Sequence, residues 1–86
     1  MPGYELTTLA EEDLIGIWEY SYHEWGEGKA VEYLLHLDKS IQDLVRNPQI
    51  GKSREDVRLG YRSIQINRHI IYYQIKTDII DIIRVL

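Results

Sequence analysis

Residues 61–86 read YRSIQINRHIIYYQIKTDIIDIIRVL, and the period of their apolar residues decides the fold. Three runs, Tyr61–Ile66, His69–Ile75 and Ile79–Val85, are rich in Ile, Tyr and Val, residues that suit a pleated surface. Within them the pattern has a period of two, as expected of strands. Asn67-Arg68 and Lys76-Thr77-Asp78 separate the runs. Gaps that short fit two successive hairpins, so the segment reads as an antiparallel meander. Asn67 tolerates the positive φ of a two-residue turn, although the usual glycine partner is missing. In the last run both sets of alternate residues are largely apolar. That is the pattern of a strand covered in part on both faces, or with one face open for a partner.

Upstream of the meander the period is 3.6. Leu14, Ile17, Trp18, Ser21, Tyr22 and Trp25 recur at helical spacing, and Gly26 supplies a stop. Thr8-Leu9-Ala10-Glu11 has the capping-box spacing, and Glu11, Glu12 and Asp13 suit the positive end of the helix dipole. A helix over residues 9–25 follows. A second, with the stripe Ala30, Tyr33, Leu34, Leu37, Ile41, Leu44 and Val45, runs from Gly28 to Arg46 and ends at Asn47-Pro48. The link between them is so short that the helices must form an antiparallel hairpin. Tyr4-Glu5-Leu6-Thr7 alternates as a short first strand, and residues 49–60, QIGKSREDVRLG, read as a loop. The expected order is β-α-α-β-β-β. This is an α+β domain over residues 1–86, with a helical hairpin on one face of a small antiparallel sheet. The expected core comprises Leu14, Ile17, Trp18, Trp25, Leu34, Ile41, Ile64, Ile66, Ile71 and Tyr73, and core packing is preferred to an aromatic stacking platform for Trp18, Tyr22, Trp25 and Tyr33.

Composition narrows the function. The chain of 86 residues is 44% apolar and 28% charged and has no cysteine, which excludes disulfides and cysteine-ligated zinc. The N-terminal MPGYELTTLAEED lacks a basic region followed by an apolar run, and no apolar stretch reaches the ~18 residues of a membrane span, so a cytoplasmic protein is expected. The net charge of −4 is unevenly distributed. Residues 1–45 carry ten acids against two bases, and residues 46–86 carry eight bases against four acids. Such a dipolar chain has one face suited to an anionic partner.

The inventory of catalytic groups is sparse. Ser21, Ser40, Ser53 and Ser63 lie in no nucleophile motif, there is no glycine-rich phosphate loop, and His23, His36 and His69 are too scattered for a metal site. No metal or cofactor is expected. The most informative set is basic: Lys52, Arg54, Arg58, Arg62, Arg68, His69 and Arg84. Six of the eight bases in residues 46–86 are arginine, the side chain favoured for planar recognition of carboxylate or phosphate. The cluster could meet phosphates or an acidic protein segment. Alternatively, Arg62 and Arg84 pair with acids of the first helix and lock the hairpin to the sheet.

Four stretches together resemble the ParE toxins of the RelE/ParE superfamily across nearly the whole chain: AEEDLIGIWEYSYHEWGEGKA, LVRNPQIGK, LGYRSIQINRHIIYYQI and DIIRVL. The most specific parts are Trp18, Trp25 and Gly26 as W-x6-W-G and Asn47, Pro48 and Gly51 as N-P-x-x-G. Gly60, Arg62 and Ser63 follow as G-x-R-S, then Arg68, His69, Ile71 and Tyr73 as R-H-x-I-x-Y. The resemblance implies a plasmid-stabilisation type of toxin from a type II toxin–antitoxin module. It would poison DNA gyrase by binding, without catalysis and without sequence-specific nucleic-acid recognition. It also implies a ParD-like antitoxin that wraps an acidic and apolar C-terminal segment around the toxin. Arg58, Arg62, Arg68, His69 and Arg84 are then the candidate basic contacts with antitoxin or target, and Tyr33, Leu37, Ile80, Ile82 and Leu86 the candidate apolar contacts.

The alternative within the superfamily is a RelE-like ribosome-dependent messenger RNA endoribonuclease. That chemistry needs a base for the 2′-hydroxyl, an acid for the leaving oxygen and cations for the phosphate. Arg62, Arg68 and Arg84 could supply the cations, but no Tyr or His follows Arg84. A third expectation rests on the close of the sequence at R-V-L, where ParE chains commonly continue: a protein that binds its antitoxin but is weakly toxic or inactive.

Overall fold

The computed structural model describes residues 3–86, so Met1 and Pro2 of the expected 1–86 domain lie outside it. The elements are β1 (Gly3–Leu6), α1 (Thr8–Trp25), α2 (Glu27–Arg46), a 3-10 turn (Pro48–Ile50), β2 (Lys52–Ser53), β3 (Tyr61–Ile66), β4 (His69–Ile75) and β5 (Ile79–Val85). The meander strands have the bounds expected from their alternation. Asn67 sits at φ 54° in the first hairpin turn, the left-handed conformation that asparagine tolerates.

Thr7, not Thr8, caps α1. It is the last extended residue, and its Oγ1 accepts from the Ala10 N–H at 3.0 Å. The same hydroxyl donates to the Ile83 carbonyl at 2.7 Å, and the Thr7 N–H donates to the Ile82 carbonyl at 3.1 Å. One residue therefore ends β1, starts α1 and ties both to β5. Gly26 alone connects the helices. At φ 87° it donates to the Tyr22 carbonyl and accepts from the Ala30 N–H, so it closes one helix and opens the next.

The sheet is mixed, which corrects the antiparallel sheet expected. Its order is β1-β5-β4-β3-β2, and β1 runs parallel to β5. Alternation shows which face a residue occupies but is silent on the direction of the partner. The chain from β1 to β5 passes through both helices and the other three strands, a connection long enough to permit the parallel pairing. Within the expected loop, Lys52 and Ser53 pair with Ser63 and Arg62 as an edge strand too short and polar to show a period.

Helices cover the face that carries Tyr4, Leu6, Ile64, Ile66, Ile71, Tyr73, Ile80, Ile82 and Val85. From the helices, Ala10, Ile17, Leu37, Ile41, Leu44 and Val45 complete the core. Leu14 and Leu34 pack against it, and Trp18 is half-buried. Trp25 departs from the expected core at 50% exposed, and Tyr22 is exposed beside it. Both lie where the hairpin turns back, past the end of the sheet's cover. A bulge explains the apolar doubling of β5: Tyr72 faces Arg84 and Tyr73 faces Ile82, so Ile83 is an extra residue. Burial accordingly steps from Ile80 and Ile82 to Val85.

Candidate functional site

Two polar constellations flank β4, and the sequence candidates divide between them. The first seals the turn after α2. The Tyr73 hydroxyl, fully buried, donates to the Pro48 carbonyl at 2.6 Å and accepts from the Gly51 N–H at 3.0 Å. Arg62 donates from Nη2 to the Gln49 and Gly51 carbonyls. A Cβ at Gly51 would collide with Tyr73 Oη and the Ser63 carbonyl, so this close approach requires glycine. The residues of N-P-x-x-G, the arginine of G-x-R-S and the tyrosine of R-H-x-I-x-Y thus form one latch. Arg62, expected as a binding residue, commits Nη2 to main-chain carbonyls, and its Nε is buried with no partner among the described residues.

The second constellation is an open cleft of about 850 Å³ between α1, the side of α2, the β3–β4 turn and the end of the sheet. Glu12, Asp13, Ile17, Tyr20, Ser21 and Trp25 line it from α1, and Tyr33 from α2. Asn67, Arg68 and His69 line it from the turn, with Val85 and Leu86 closing the far wall. The main chain of Leu86 pairs with that of Ile70, at 2.7 and 2.9 Å, which holds this wall in register. Tyr20 and Trp25 meet edge-to-face with centroids 6.0 Å apart. A smaller groove, lined by Lys29, Glu32 and His36, adjoins the cleft at Trp25 and Tyr33.

Tyr33 Oη lies 2.5 Å from His69 Nδ1, tying α2 to the β3–β4 turn. Burial pushes the His69 imidazole below its usual pKa, and burial raises the Tyr33 phenol despite the opposing Arg68 backbone and Asn67 side chain.

Arg84 is also committed. Its Nε and Nη2 donate to the Asp13 carboxylate at 2.7 and 2.9 Å, and the Val85 N–H donates to the same carboxylate at 2.9 Å. Since β1 ends at Leu6, Asp13 satisfies the backbone of β5 where a neighbouring strand would have done so. The Arg84 guanidinium holds the Asp13 carboxyl below the ordinary range, burial opposes this, and the Val85 N–H adds to it. The alternative that Arg84 locks the hairpin to the sheet describes the geometry; for Arg62 the partners are turn carbonyls instead of helix acids.

Of the candidate apolar contacts, Leu37, Ile80 and Ile82 are buried at 1%, 3% and 0% exposed, a correction: they are core, and a partner cannot reach them. Their apolar period looked the same as that of a surface stripe. Tyr33 and Leu86 do line the cleft, together with Arg68 and His69. Arg58 is exposed, away from the cleft lining, in the segment before β3. Arg54 stacks over the Tyr72 ring at 5.4 Å and pairs with Asp56. The sequence reading missed Tyr20 and Ser21 as cleft residues and placed Trp25 in the core. Their helical spacing is shared by core and rim, and only the end of the sheet separates the two.

A sequence model of the ParE toxin of the type II toxin–antitoxin system parDE matches residues 4–86. Toxin ParE1 of Mycobacterium tuberculosis is 34% identical over 84 residues, covering 96% of this chain and 86% of that protein. Toxin ParE1 of Caulobacter vibrioides is 35% identical over 86 residues, covering 100% of this chain and 88% of that protein. A chain from a solved structure described as the chromosomal ParDE TA system from P. aeruginosa superposes with a TM-score of 0.81, over 99% of this chain and 92% of that one. At 22% identity that likeness speaks for the fold alone.

Proposed function

The chain belongs to the ParE toxin family of type II toxin–antitoxin systems, and from that premise we propose that it acts by binding and not by catalysis. Its target is DNA gyrase in the cytoplasm. A ParD-like antitoxin neutralises it by placing an acidic and apolar C-terminal segment in the cleft between α1, α2 and the β3–β4 turn. The observation that carries the antitoxin site is convergence: Tyr33, Arg68, His69 and Leu86, far apart in the chain, line one cleft with Tyr20 and Trp25. Aromatic anchors beside a cation suit an amphipathic acidic segment. Arg68 carries the electrostatic part, because Arg62 and Arg84 are occupied within the fold. The same commitments weigh against a nuclease, which would need those cations free for a scissile phosphate.

The test has two arms. Purified protein should inhibit gyrase supercoiling and raise linearised DNA, and should leave ribosome-bound messenger RNA uncut. Expression alone should arrest growth, and co-expression of the antitoxin from the adjoining reading frame should restore it. Codon-positioned RNA cleavage would overturn the binding mechanism. Intact antitoxin binding with no effect on gyrase would reduce the protein to a non-toxic binder.

A further inference from the structure

We propose that Arg68 and His69, at the rim of the cleft, form a carboxylate-binding subsite that takes up a proton when it is filled. The inference rests on the reading that an acidic partner segment enters this cleft, and adds how the partner's charge is received.

The geometry starts from the Tyr33–His69 pair. The contact of 2.5 Å between Tyr33 Oη and His69 Nδ1 has a direction set by the tautomer: in the neutral form with its proton on Nε2, the imidazole accepts the phenol hydrogen at Nδ1. A protonated ring keeps the same contact with its direction reversed, Nδ1–H donating to the phenol oxygen. The hydroxyl can play either part, so protonation requires no rearrangement of heavy atoms. In that tautomer Nε2–H is a donor in both states, and Nε2 has no hydrogen-bond partner among the described residues.

The surroundings offer the charged ring no counter-ion. Burial is the one cause that lowers the His69 pKa. Across the cleft on α1 stand Glu12 and Asp13, and the Asp13 carboxylate is held by Arg84 and Val85. On α2, Lys29, Glu32 and His36 lie on the far groove beside Tyr33. Arg68 is the immediate neighbour in the turn, exposed and without an ion-pair partner among the described residues. A carboxylate docked on the Arg68 guanidinium would supply the missing negative charge. It favours imidazolium over imidazole, and the ring then donates Nε2–H to the carboxylate and Nδ1–H to Tyr33.

Linkage sets the sign. If filling the subsite raises the His69 pKa, binding strengthens as pH falls through the pKa of the complex, and the gain levels off below the pKa of the free protein. Each unit of difference between the two is worth about tenfold in affinity.

The experiment uses the full chain and the purified antitoxin from the adjoining reading frame. Calorimetry between pH 7.5 and 5.5, in buffers of different ionisation enthalpy, reads affinity and protons together, and the His69 ring is titrated by NMR in the free and bound protein. The expected result is about tenfold tighter binding at the acid end, net proton uptake, and an upward shift of the His69 titration in the complex. His69→Gln should abolish the uptake, and the NMR titration of the unaltered protein stands even if that variant folds poorly. A complex that forms in the cleft without proton uptake, and with an unmoved His69 titration, overturns the subsite while the cleft reading survives. A complex that forms unweakened by Trp25→Ala and Tyr33→Ala overturns the cleft reading and the subsite with it.

Discussion

The latch at Pro48–Gly51 and the cleft at Tyr33–His69 stand on either side of β4, and both are built from aromatic hydroxyls and arginines. They use them differently. In the latch, Tyr73 Oη both donates and accepts, and Arg62 reaches two carbonyls. Its hydrogen bonds close on groups of the chain. In the cleft, the Tyr33 hydroxyl meets the His69 ring, Arg68 has no ion pair among the described residues, and Trp25 is half exposed. A motif rich in Arg and Tyr is therefore ambiguous by itself. What separates structure from recognition is whether nearby backbone uses up the donors. A buried donor that finds a carbonyl contributes to folding, and an exposed one remains for a partner.

Substitutions can break that contrast, and the largest effect belongs to the latch. Gly51→Ala forces a Cβ against Tyr73 Oη and the Ser63 backbone. We expect a loss of about 3 kcal/mol by urea unfolding, from overpacking together with broken hydrogen bonds. A loss under ~1 kcal/mol would mean that the turn relaxes and the latch is not closed. Tyr73→Phe comes next, leaving the Gly51 N–H unpaired in a buried setting. It should cost about 2 kcal/mol with the fold intact, and a neutral result would show that water replaces the hydroxyl.

Asp13→Asn sharpens the comparison where the cleft wall meets the core. The Asp13 carboxyl has a lowered pKa in the folded chain. A depressed carboxyl contributes stability above its unfolded pKa of about 3.9, lost as pH falls through the folded value. Acid titration of stability should therefore slope less steeply below about pH 4 in Asp13→Asn, which also loses about 1–2 kcal/mol at neutral pH. Parallel acid slopes in the two proteins would remove Asp13 from the account.

The smallest effect on folding belongs to the cleft. Trp25→Ala and Arg68→Glu should each change stability by under about 1 kcal/mol, as exposed positions do. Both should nonetheless weaken antitoxin binding. Trp25→Ala should do so by about thirtyfold, as for a central anchor, and Arg68→Glu should also flatten the salt dependence of affinity. A Trp25→Ala protein that unfolds easily would return that residue to the core.

The fold was legible in particular places. Strands β3, β4 and β5 were readable because Ile, Tyr and Val alternate between turns, and the helices because their apolar stripes end at Gly26 and at Asn47-Pro48. Strand β2 was not readable, since Lys52 and Ser53 have no period. The parallel partner of β1 was hidden because period two is the same in either direction. The cleft was legible only as separate residues. Arg68 and His69 stood out in a basic cluster, but nothing in the chain distinguished them from Arg62 and Arg84, which the fold uses. Trp25 and Leu37 show the same limit from the apolar side: both sit on a helical stripe, one at a rim and one in the core.

The sequence by itself determined the two helices, β1 and the meander strands, their order and the family, because period, capping and turn chemistry act over a few residues and are written locally. Tertiary structure decided which charges are free. Whether an arginine meets a partner depends on where Asp13 and the Pro48–Gly51 carbonyls lie in space, 71 residues from Arg84 in one case and 11 from Arg62 to Gly51 in the other. Electrostatic and hydrogen-bond energies are functions of those distances and of burial, and both exist only once the chain has closed on itself.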